Sequence, residues 1–170
     1  VEKLNRNYKL NQMRNIKQLQ ILTSIMILSS FGQPIFAQEN DFIKEYLERL
    51  EKSKEYLILV AETMPEDKYE FKATPESMSF AENLMHISWA MDWHSQSLIG
   101  GRGARDWNTD TELKVDKKTK QEMIDKIDET FNKTIEFISN FDINRLDERL
   151  DYFGADRTKR QILLLLADHI

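Results

Sequence analysis

The chain has 170 residues, of which 41% are hydrophobic, 10% aromatic and 31% charged, and its net charge is −5. That is enough apolar material for one core and too many aromatics for a disordered acidic chain. Cysteine is absent, which excludes disulfide scaffolds, thiolate zinc sites, cysteine nucleophiles and CxxC redox chemistry. Five glycines and three prolines leave little turn material for a many-stranded sheet, so the composition predicts an all-α fold.

Residues 1–37 carry Lys3, Arg6, Lys9, Arg14 and Lys17 against the single acid Glu2, a net +4 that leaves −9 on residues 38–170. From Met13 the basic residues lead into an apolar run, Ile21 to Phe31, and then Gly32-Gln-Pro-Ile-Phe-Ala37. This order predicts a secretory signal peptide that starts at Met13 and is cleaved near Ala37, with residues 1–12 upstream of it. A spanning helix takes about 20 apolar residues; this run is shorter, so no stable membrane anchor is expected after cleavage. The expected product is an exported protein, periplasmic or secreted, whose domain is residues 38–170.

Apolar residues at helical spacing predict a first helix from about Asp41 to Thr63, through Ile43, Tyr46, Leu47, Leu50, Leu57, Val60 and Ala61. Met64-Pro65 ends it, because a residue before proline disfavours the helical region. Residues 65–78 read as a loop with Tyr69 and Phe71 tucked against the helices. Ser79-Phe-Ala-Glu82 has the spacing of a capping box and opens a second helix that runs to about Ile99. The glycines of Gly100-Gly-Arg-Gly103 form an interhelical turn; no strand precedes them and no GK[ST] follows, as a phosphate loop requires. Trp107 follows in the linker.

A third helix is expected over about Lys117 to Asn140, with Ile124, Ile127, Phe131, Ile135 and Ile138 on one stripe. Residues 141–157 read as a charged connection, and Thr158-Lys-Arg-Gln161 is a second capping box that starts a fourth helix. That helix reaches Ile170 without a C-terminal signal, which predicts a four-helix bundle whose last helix is incomplete.

The three histidines are His86, His94 and His169. Periodicity puts His94 near the buried stripe of the second helix, His86 on its flank beside Trp93, and His169 on the core side of the fourth helix. A core histidine held by hydrogen bonds and a metal ligand both fit this placement. Glu82 lies one turn before His86 and either orients its ring or simply caps the helix. His94 and Trp93 are candidates for a pocket or for support of the site. A domain charge of −9 without a basic patch excludes nucleic acid as the expected partner.

The segment from Met64 to His86, MPEDKYEFKATPESMSFAENLMH, and the segment from Ile162 to Ile170, ILLLLADHI, resemble the DinB/YfiT-like family of small bundle metalloproteins. In that family a Pro-x-x-Lys loop with a second proline, as in the first segment, leads into a helix carrying the first histidine ligand, and the second segment is similar to the start of a last-helix motif that continues as His-x-x-x-His. The resemblance implies a four-helix bundle with a three-histidine divalent metal site. His86 is then the first ligand, His169 the second, and the third stands four residues after His169, beyond Ile170.

Imidazole ligands favour Zn²⁺ or Ni²⁺. With the expected export, the resemblance implies a metal-dependent hydrolase or transferase acting on a small molecule, export weighing against transfer from a cytosolic thiol cofactor. The alternative is a non-catalytic binding bundle with a structural metal or none. Bundles of this kind also pair through an apolar helix face, which leaves a homodimer open.

Overall fold

The structure is a computed structural model that describes residues 33–106 and 108–170, over 33–40 for the backbone alone. The basic and apolar segments of the expected signal peptide, and Trp107, lie outside the described residues. The chain divides into two units, residues 1–41 and 42–170. What is described of the first is helical backbone from Gln33; the second carries the bundle. Among the described residues, no helix is long and apolar enough to cross a membrane.

Helix α1 spans Gln33–Thr63, so the helix begins upstream of the Asp41 start that periodicity suggests. Tyr46, Leu50, Leu57 and Ala61 are its buried residues, recurring at helical spacing along one stripe. Beyond it a 3-10 turn, Glu66–Lys68, brings Tyr69 into the core, where its hydroxyl donates to the Ala61 carbonyl at 2.7 Å. Phe71 is 60% exposed, against expectation. Its backbone amide bonds the Lys68 carbonyl and its own carbonyl accepts from Phe80, so the main chain is tied to the helix start while the ring is left outside.

Helix α2, Phe80–Asp92, opens with both bonds of the Ser79–Glu82 capping box formed. After Asp92 the helix widens into a π-helical segment, Trp93–Ile99. The cause lies at the junction. His94 Nδ1 bonds the Ala90 carbonyl at 2.8 Å, and the Ser95 hydroxyl donates to the Met91 carbonyl at 2.7 Å. Side-chain donors thus compete for the carbonyls of the next turn, and such widenings recur at functional sites.

Helix α3, Lys120–Ser139, packs against α2. It begins three residues later than the sequence suggests, because Lys117 has φ 57, a left-handed conformation no helix continues. Ile124, Ile127, Phe131 and Ile138 are buried as expected, and Ile135 packs at the edge of the core.

The connection between α3 and α4 is more than a loop. A 3-10 turn, Ile143–Arg145, precedes an antiparallel hairpin of β1, Arg149–Tyr152, and β2, Ala155–Thr158, with Tyr152 opposite Ala155. The fold remains mainly α. Helix α4, Lys159–Asp168, has Thr158 as its N-cap with the capping box closed by Gln161. Its buried face is Ile162, Leu163, Leu166 and Ala167, while Leu165 and His169 are exposed. His169 therefore does not face the core. The helix is turned by α1: the Tyr46 hydroxyl donates to the Leu163 carbonyl at 2.8 Å and Arg49 to the Ala167 carbonyl at 3.0 Å. These bonds put the 163/167 side inward and bring His169 to the flank.

Candidate metal centre

Two histidines distant in sequence meet at the end of α4. His86, half-buried on α2, and His169 have their Nε2 atoms 3.1 Å apart and their ring centroids 5.1 Å apart. Burial pushes the His86 imidazole below the ordinary histidine range, and the neighbouring His169 charge pushes the same way. A neutral imidazole is the form that binds metal.

The donor spacing fits one ion. Nitrogens at about 2.0–2.1 Å from a common Zn²⁺, meeting between a right angle and a tetrahedral angle, stand about 2.8–3.4 Å apart. The same distance also suits an N–H···N hydrogen bond between neutral rings. Among the described residues, no third histidine, aspartate or glutamate joins the pair in a group able to hold a metal.

His94 lies two turns along from His86, yet its ring centroid is 6.1 Å from that of His169. Both of its nitrogens are engaged. The Ala90 carbonyl can only accept, so Nδ1 carries the proton and donates to it at 2.8 Å. That leaves Nε2 as an acceptor, and the Tyr152 hydroxyl donates to it at 2.9 Å. Burial, the largest cause, and the His169 charge lower the His94 pKa, opposed by the Ala90 bond. Burial also raises that of Tyr152, so both groups are neutral near pH 7 and the hydrogen bond is fixed in direction.

Trp93 is half-buried, its ring edge-on to His94 at 4.7 Å. Glu82 is engaged elsewhere: its carboxylate accepts from the Ser79 amide at 2.6 Å and pairs with Lys72 at 3.2 Å, which together hold its pKa below the carboxylate norm. Asp168 pairs with Arg49 at 3.0 Å.

Tyr152 is the residue of this cluster that reading the sequence leaves in a charged connection. Its signal is faint but present: Arg149–Tyr152 and Ala155–Thr158 flank Phe153-Gly154, a two-residue turn ending in glycine.

The sequence profile of the DinB superfamily matches residues 49–170. In the solved structures, the chain is similar to a DinB-like protein from Bacillus cereus ATCC 10987, at a TM-score of 0.59 and 15% identity, over 74% of this chain and 81% of that one. At that identity the similarity shows the fold. No curated protein sequence matches the chain.

Proposed function

The chain belongs to the DinB superfamily, and from that premise we propose that it is an exported protein that binds a divalent metal ion through His86 and His169. The observation that carries the reading is the 3.1 Å approach of two Nε2 atoms from residues 83 apart in sequence. Membership in a metal-associated superfamily supports it. Zn²⁺ and Ni²⁺ are the ions of choice for such ligands, and a third imidazole four residues past His169 completes the proposed set.

An ion held there supplies Lewis acidity and lowers the pKa of a bound water or substrate group. The chain's own residues do the rest. His86 and His169 present imidazole nitrogens from two elements. His94 stays fixed by Ala90 and accepts the Tyr152 hydroxyl at its Nε2, so a phenol oxygen with free lone pairs stands next to the ring that faces His169. Hydrolysis of a small molecule is the activity we favour over transfer from a thiol, because export separates the protein from cytosolic thiol cofactors.

The test is metal binding by the full-length protein, purified metal-free and titrated with Zn²⁺. We expect one equivalent bound, with affinity lower by about a hundredfold or more in His86→Ala and in His169→Ala; changes merely outside the ligand shell already cost 10–100-fold. Far-UV circular dichroism of both variants should stay helical, since neither residue is in the core. Unchanged affinity in both variants would overturn the metal reading in favour of a binding bundle whose histidines simply hydrogen-bond. Export is tested by N-terminal sequencing of the secreted protein, expected to begin at Gln38.

A further inference from the structure

We propose that Trp93, Tyr152 and Phe153 form an aromatic wall that binds the flat, unsaturated part of the small-molecule substrate beside the His86–His169 pair. The proposal rests on the reading of that pair as the reactive centre and adds the substrate class.

The wall is built from two elements. Trp93 on the π segment stacks on Trp89 at 5.8 Å, with 9° between the ring planes. Phe153 at the hairpin tip leans on Trp93 at 5.5 Å and meets Tyr152 edge-on at 4.8 Å. Tyr152 and Trp93 both border His94, at 5.6 and 4.7 Å, and His94 in turn lies 6.1 Å from His169. The rings therefore run without a break from the histidine pair to solvent. His86, Trp89 and Trp93 share one side of the helix at intervals of three and four residues.

Phe153 is the telling residue. It is 80% exposed and has φ 53, followed by Gly154 at φ 80. A two-residue hairpin loop with both central residues at positive φ is the type I′ turn, in which Asn-Gly or Asp-Gly is at ease and a bulky side chain is strained. Exposure means that the ring adds little to the core, and the backbone angle means that it weakens the turn. Core burial does not account for phenylalanine here. Strain at such a position, next to a cluster of histidines, points to recognition. The exposed Phe153 ring at the rim suits a planar ligand, whose ring stacks offset or edge-on against it.

The test uses 2-naphthol and its saturated analogue decahydro-2-naphthol as probes, titrated by calorimetry into the wild-type protein, Phe153→Tyr and Phe153→Asn. The wild type and Phe153→Tyr should prefer naphthol. Phe153→Asn should bind it about fivefold more weakly, the size of one lost aromatic pair, while its melting temperature stays level because the relieved strain offsets the lost ring contacts. A structural role would move both readouts downward together. Equal affinity for the two probes in the wild type, or unchanged naphthol affinity in Phe153→Asn, would overturn the wall. If Zn²⁺ binding is lost in His86→Ala but naphthol binding ignores Phe153, the wall alone falls. If Zn²⁺ does not bind while the naphthol preference persists, the wall stands and the metal reading falls.

Discussion

Protonating His94 requires a positive charge to enter a buried ring whose Nε2 already accepts the Tyr152 hydroxyl, with the His169 imidazole facing it and the Ala90 carbonyl on the other side. Burial lowers its pKa in the folded state below the ordinary 6.5. The unfolded chain therefore binds more protons than the folded one as pH falls from about that value. Stability from this group is fully present above the ordinary histidine pKa and lost as pH drops through the lowered one. His86 shifts the same way. Urea unfolding should show stability falling between pH 7 and 5, with a shallower pH slope in His94→Asn; an identical slope would mean that His94 does not titrate in this range. The strain at Phe153 belongs to the same scale. Replacing it with Asn, which tolerates the left-handed region, should relieve about 1 kcal/mol of strain and lose a similar amount of ring contact with Trp93 and Tyr152, read as a melting temperature that stays level.

At the scale of elements, what could be read from the sequence is what is local. Both capping boxes form as their spacing predicts, at Ser79–Glu82 and Thr158–Gln161, because each needs only residues three apart. The hairpin was not legible, since its strands Arg149–Tyr152 and Ala155–Thr158 are half charged and its turn has phenylalanine where asparagine would announce it. Nor was the π segment. It depends partly on α3: the Thr134 hydroxyl reaches the Ser95 hydroxyl at 3.1 Å and the Met91 carbonyl at 3.3 Å, and periodicity along one helix does not encode that contact. Caps matter most where the helix is short. A ten-residue helix is marginal alone, so Thr158→Ala in α4 should cost about 1 kcal/mol. Amide exchange should show α4 opening more often than α2 or α3; uniform loss of protection across the bundle would argue against local fraying.

At the scale of the molecule, the site depends on α1, an element that contributes no ligand. Periodicity alone turns His169 toward the core; only the family resemblance aims it at His86, and the structure explains the difference through the bonds by which α1 rotates α4. Tyr46 and Arg49 hold the carbonyls of Leu163 and Ala167, and the arc of α4 that carries His169 follows. Removing the buried Tyr46 hydroxyl in Tyr46→Phe should cost about 1 kcal/mol. Ile138→Val, in the fully buried core on α3, should cost about the same. Without metal, their melting temperatures should fall together. With Zn²⁺ at a hundred times its dissociation constant, the wild type should gain about 2.7 kcal/mol. Ile138→Val should keep that gain, because a folded bundle binds as before. Tyr46→Phe should lose part of it, because the fault lies in the docking of α4 and the second imidazole no longer waits in place. Equal gains in the two variants would show that α4 is positioned without α1.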